Sequence, residues 1–148
     1  MILIRTFAAL LLAVLLIVPL TVAKEESVQQ LVDRANSARV EDQPALYSSA
    51  AEKQLKSADQ LYTAGKVDDA RLAVADVVTY SDKASSAAIQ SGKKLKNTEI
   101  SVRRMAAKLR DIKRSLAFED QPPVQAAIDR LETLRTELLT KMFGKTTK

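Results

Sequence analysis

The sequence predicts an all-α protein: antiparallel helices bundled around one long central helix. Composition is the first ground for this. The 148 residues hold no Trp, three Phe, three Tyr and only seven Gly and Pro together, with abundant Ala, which favours helices packed through small side chains over sheets. Register is the second. Ala70, Val77, Ala84, Ser91, Thr98, Met105 and Ile112 share one heptad position; Val74, Ser81, Ala88, Leu95, Val102, Leu109 and Leu116 share the other, and eleven of the fourteen are apolar. A phase held over 47 residues reads as one coiled-coil-like helix from about 68 to 118, roughly 75 Å long at 1.5 Å per residue. Gly92 is its weak point, costing about 1 kcal/mol against Ala in a helix interior. A bend there keeps the helix; a break gives a five-helix bundle.

In chain order, residues 1–23 read as a signal peptide. Arg5 supplies the positive charge, Phe7 to Val18 the apolar run, and Thr21-Val22-Ala23 the small residues for cleavage after Ala23. An uncleaved anchor is the competing reading, but the run is short for a bilayer and Lys24-Glu25-Glu26 follows at once. The expectation is an exported protein, periplasmic or secreted. It has no Cys, hence no disulfide or thiol chemistry.

The mature chain, 24–148, is expected to be one helical domain. A thin apolar stripe of Val28, Leu31, Val32, Ala35 and Ala38 predicts a helix over about 26–40. Glu41-Asp42-Gln43-Pro44 then separates two helices, with Asp42 expected to cap the second and Pro44 tolerated in its first turn. The same tetrapeptide returns as Glu119-Asp120-Gln121-Pro122, 78 residues on, and the offset also aligns Asp33 with Asp111 and Ser37 with Ser115. Reuse of a good helix-to-helix turn and an old internal duplication both account for it. The second helix, 44–64, turns Tyr47, Ala51, Leu55, Ala58, Leu61 and Tyr62 to one side and closes at Gly65. Asp68 and Asp69 open the long helix, where negative charge suits the helix dipole.

Within this hairpin, Ala58, Leu61, Tyr62, Gly65, Val67, Ala70 and Val74 resemble the helix-turn-helix centre of a tetratricopeptide repeat. The resemblance covers about 58–74 and implies a tight antiparallel pair of helices. A peptide groove in that family takes two or more stacked repeats.

The seam of the long helix changes character along its length. Ala70, Ser81, Ala84, Ala88 and Ser91 line its first half, which suits the Ala-rich second helix; Leu95, Val102, Met105, Leu109, Ile112 and Leu116 line the rest. The last helix, 122–142, matches that second half with Val124, Ala127, Ile128, Leu131, Leu134, Leu138 and Met142. The tail 145–148 is expected to fray.

Catalysis has little to work with. There is no His or Cys, no glycine-rich phosphate loop and no metal-ligand spacing, and every acid pair falls at a helix start or turn. The reading is of a non-enzyme, without catalytic, cofactor or metal residues. It acts as a scaffold or adaptor through protein association, with itself or with a partner helix. Two helices cover a seam poorly, so Leu109, Ile112, Leu116, Leu131, Leu134, Leu138 and Met142 are predicted to form an exposed apolar strip.

The alternative rests on charge. Residues 93–114 carry nine bases against two acids, a net +7, whereas 41–92 is net −3. Lys93, Lys94, Lys96, Arg103, Arg104, Lys108, Arg110 and Arg114 are then the predicted contacts for an anionic envelope component or acidic protein. Nucleic acid fits less well, because no aromatics interleave the bases.

Overall fold

The computed structural model describes residues 25–144. The signal segment with its cleavage point, and the tail 145–148, lie outside the described residues. Five helices make up the described chain: α1 (Val28–Ser37), α2 (Gln43–Thr63), α3 (Val67–Ser91), α4 (Leu95–Ser115) and α5 (Gln121–Phe143), with a 3-10 turn at Phe118–Asp120 before α5. The all-α bundle is as the sequence predicts.

The single helix over 68–118 is not. It is broken into α3 and α4 at Gly92, which takes the left-handed conformation (φ 67°, ψ 10°) and donates its N–H to Ala88 O at 2.8 Å. The Ser91 hydroxyl helps to stop the helix, donating back to Ala87 O at 2.7 Å and accepting the Lys93 N–H at 3.2 Å. Lys94 is left-handed too (φ 59°), so two such residues in three reverse the chain. The heptad phase crosses this turn because Ala88 and Leu95 stand seven apart whether or not the residues between them are helical. Phase alone does not prove continuity.

Side-chain pairs fix the helix directions. Gln54 donates to Asp76 at 2.7 Å, setting α2 antiparallel to α3. Ser101 to Glu52 (2.5 Å) and Lys108 to Asp59 (2.8 Å) run α4 parallel to α2. Arg71 to Asp120 (2.9 Å) and Arg130 to Asp82 (2.5 Å) run α5 parallel to α3. Lys113 to Gln125 and Arg135 to Glu99 make α4 and α5 antiparallel. The result is an up-down-up-down arrangement of two hairpins, α2–α3 and α4–α5, with α3 on α5 and α2 on α4. α1 packs on α2, where Tyr47 donates its hydroxyl to Asn36 at 2.6 Å.

Both Glu-Asp-Gln-Pro segments build the same corner. Ala38 and Leu116 leave their helices in extended conformation. Asp42 N–H then bonds Arg39 O and Asp120 N–H bonds Ala117 O. Gln43 and Gln121 each donate a side-chain N–H to the carbonyl five residues back, at 3.2 Å in both cases. The expected capping by Asp42 does not occur: its backbone is right-handed helical (φ −94°, ψ −21°), not the extended form that turns a cap side chain onto the first amides, and its carboxylate pairs with Arg39. The first helix is capped by Ser27 in a reciprocal box with Gln30 and ends at Ser37, short of Val40. At the α2–α3 turn, Gly65 (φ 74°) is followed by Lys66, whose N–H reaches Leu61 O while that of Gly65 reaches Tyr62 O, a Schellman closure.

The core is graded as the seam suggests, with Ala50, Ala51, Ala58, Ala73, Ala84 and Ala88 between the first hairpin's helices and Met105, Leu109, Ile112, Leu131, Leu134 and Leu138 in the second. Folding at Gly92 lays one hairpin over the other and buries both seams.

Candidate functional site

The predicted apolar strip is mostly interior. Leu109, Ile112, Leu131, Leu134 and Leu138 are buried, while Leu116 and Met142 are half-buried at the two ends of the bundle. The cause is the turn at Gly92: α2 and α3 close over the α4–α5 seam, which a straight helix would have left with one neighbour. Among the described residues, the exposed large apolar side chains are instead Leu72 (68%), Phe118 (86%) and Phe143 (76%).

The predicted basic set divides. Four of its members are neutralised within the fold. Lys108 bonds Asp59 at 2.8 Å, a contact that raises its pKa first by hydrogen bonding and then by charge. Arg110 meets Glu132 at 2.5 Å, Arg114 meets Asp111 at 2.9 Å, and Arg103 stands 3.5 Å from Glu99. Glu99 is itself only 7% exposed and is held chiefly by Arg135, at 2.9 Å. Arg135→Ala strands that carboxylate, and we expect a loss of about 2 kcal/mol in urea unfolding.

The other four, Lys93, Lys94, Lys96 and Arg104, are exposed and make no ion pair among the described residues. Lys93 and Lys94 sit on the α3–α4 turn and Lys96 in the first turn of α4. Because α5 is antiparallel to α4, Lys141 and the exposed Phe143 lie at the same end of the bundle, and Lys141 has no acidic partner among the described residues either. A shallow cleft between Lys94 and the α1–α2 corner, lined by Arg34, Asp42, Ala45 and Leu46, places that corner there too, with Asp42 already paired to Arg39. No helix among the described residues is long and apolar enough to cross a membrane.

A polar groove lies at the opposite end. Arg110, Lys113, Arg114, Gln121, Gln125 and Ile128 line a groove of about 350 Å³ between α4 and α5. Lys113, Gln121 and Gln125 also line its continuation, walled by Phe118, Pro122 and Ala126 and carrying the carboxylate of Asp129, which accepts from Gln125 at 2.7 Å. Lys113 donates to the neutral Gln125 Oε1 at 2.6 Å and makes no ion pair among the described residues.

No protein-family model, curated protein or solved structure matches the chain. The likeness to a tetratricopeptide hairpin therefore rests on the residues around Gly65 alone. The sequence reading missed Lys141 as a member of the lysine end, since only the antiparallel α5 brings it there. It also missed the groove, whose lining alternates between two helices and leaves no local signature. Gly92 followed by two lysines was the available signal, since a glycine past a helix end with bases beside it is a common stop.

Proposed function

We propose that this is an exported, non-enzymatic binding protein whose lysine end docks on an anionic membrane surface. The observation that carries the reading is the segregation of charge. The fold neutralises Arg103, Lys108, Arg110 and Arg114 and leaves Lys93, Lys94 and Lys96 with no ion pair among the described residues, at the same end of the bundle as Lys141 and the exposed ring of Phe143. Lysines near an anionic leaflet contribute about 1 kcal/mol each, and an aromatic ring adds interfacial burial. Four lysines and one ring give weak, reversible attachment, with a dissociation constant on the order of 0.1 mM. The absence of His and Cys, and the structural duties of the acid pairs, support a non-enzymatic role. Association through the apolar strip loses its surface, because those side chains build the core.

The test is co-sedimentation with vesicles of phosphatidylcholine alone or with phosphatidylglycerol added. Binding is expected only to the anionic vesicles, weakening as salt rises. The triple variant Lys93→Gln, Lys94→Gln, Lys96→Gln should lose about a hundredfold in affinity while keeping its melting temperature. Equal binding to neutral vesicles, or an unchanged triple variant, overturns the reading. Binding to soluble polyphosphate that matches the vesicles and ignores Phe143→Ser replaces the membrane with a soluble polyanion.

A further inference from the structure

We propose that the α3–α4 turn is a hinge through which two copies of this chain exchange their α4–α5 hairpins, and that the exchange withdraws the lysines from the end of the bundle, so that dimer and anionic surface compete for them. The competition rests on the membrane reading; the exchange does not.

The turn is built to open. It holds two left-handed residues in three, and the second, Lys94 (φ 59°), carries a side chain that disfavours this conformation and would be at ease in a helix. The turn also joins helices that are not close neighbours. Round the bundle the order is α2, α3, α5, α4, so α3 and α4 stand across a diagonal and each packs chiefly on its own hairpin partner. The buried side chains nearest the turn are mostly small, with Ala84, Ser85 and Ala88 before it and Thr98 and Ser101 after it. The Ser85 hydroxyl, like that of Ser81 one turn earlier, has no hydrogen-bond partner among the described residues. Parting the helices there exposes little apolar surface.

The heptad supplies what the open state needs. A turn frees the phase of the helix that follows it, yet Ala88, Leu95, Val102 and Leu109 keep one phase. With 92–94 helical, α3 and α4 become one helix over 67–115, roughly 73 Å long, whose two buried seams face the same way. In an antiparallel pair of such helices each α3 half faces the α4 half of the other copy, and α2 and α5 close the sides. The contacts of the bundle are kept, now between chains, and the assembly is a closed two-fold dimer.

In that dimer the two bundles meet at their lysine ends. Lys93, Lys94, Lys96 and Lys141 of both copies crowd one waist, and the nearby corner sets only Glu41 and Asp42 against Arg39, too little acid to neutralise them. Screening therefore favours the dimer, the opposite of an interface held by ion pairs. The end face that would lie on a membrane is closed by the other copy.

Refolding from urea over a range of protein concentrations, followed by light scattering on a sizing column, tests the exchange. A slowly dissociating dimer is expected, its share rising with protein concentration and with salt. Lys94→Gln removes charge but keeps the strained backbone, and should strengthen the dimer at least about threefold. Lys94→Gly relieves the turn and weakens the helix, and should weaken the dimer at least about tenfold. Because the chain has no Cys, a short bis-maleimide can report which chain each hairpin belongs to. Across Asp82→Cys with Arg130→Cys, on α3 and α5, it should link two chains in the dimer and none in the monomer. Across Gln54→Cys with Asp76→Cys, on α2 and α3, it should stay within one chain in both. The separated monomer should sediment with phosphatidylglycerol vesicles, and the separated dimer should bind them at least about tenfold more weakly. A monomer under every condition overturns the exchange, as does a dimer whose α3–α5 link stays within one chain. A dimer that binds vesicles as tightly as the monomer overturns the competition. If the monomer itself ignores anionic vesicles, the membrane reading falls and the competition with it, while the crosslinks alone decide the exchange.

Discussion

Leu109→Glu is expected to unfold the protein in water, and Leu138→Glu to do the same, with loss of the helical circular-dichroism signal and of the urea transition. Both side chains are fully buried in the larger core cluster, among Met105, Ile112, Leu131 and Leu134. Each substitution removes a buried leucine, worth about 2–5 kcal/mol when truncated, and puts a carboxyl where nothing can solvate it, worth several kcal/mol more. A domain of this size is stable by about 5–15 kcal/mol. One such change consumes most of that, and the pair together all of it. An exposed strip gives a different result: folded variants with ordinary melting temperatures and lost association. The far-ultraviolet spectrum at equal concentration separates the two. Leu131→Ala grades the effect, with an expected cost of about 3 kcal/mol and a protein that still folds.

The contrast between strip and core marks what the sequence could carry. Which residues are apolar and in phase was legible: the buried positions Ala70, Val74, Val77, Ala84, Ala88, Val102, Met105, Leu109 and Ile112 are those the heptad selects. The closures at Gly65 and at both Glu-Asp-Gln-Pro corners were legible as well, because Gly and Pro act locally through their own dihedral limits. What covers a seam was not. That depends on where the chain reverses, and a three-residue turn that preserves a seven-residue count is silent in the pattern. Charge pairing was hidden for the same reason. Lys108 and Lys96 look alike in the sequence, yet one has Asp59 across from it and the other has no carboxylate partner among the described residues, a difference set by the parallel run of α2 and α4.

The two Glu-Asp-Gln-Pro corners extend this. Their backbone course and Gln-to-carbonyl bonds coincide, and Ser37 and Ser115, aligned by the same offset, are the last residues of α1 and α4. Their aspartates differ: Asp42 pairs within its own corner with Arg39, whereas Asp120 reaches Arg71 on α3. The motif encodes the turn, and the surroundings decide whether it also joins two helices.

Gly92→Ala is expected to convert the protein into a domain-swapped dimer. No atom outside its immediate neighbours lies within 4 Å of a Cβ built at Gly92, so the substitution meets no clash and its cost is in the backbone alone. The left-handed conformation costs a non-glycine residue about 1–2 kcal/mol, and Lys94 already bears this. In a continuous helix the same alanine gains about 1 kcal/mol over glycine. The balance between turn and helix therefore moves by roughly 2–3 kcal/mol per chain, or about 4–6 kcal/mol per dimer, enough to reverse a hundredfold preference. The unbroken heptad makes the open state favourable. With the turn straightened, α3 and α4 form one helix, and each chain's α4–α5 hairpin packs on the α2–α3 hairpin of its partner through the contacts it now makes within one chain. Light scattering on a sizing column should give a dimer that neither dilution nor salt dissociates. Lys94→Gly should do the reverse, raising monomer stability by about 1 kcal/mol. A Gly92→Ala chain that stays monomeric and is merely less stable by about 1–2 kcal/mol would mean that Ser91 and Lys94 hold the turn without the glycine.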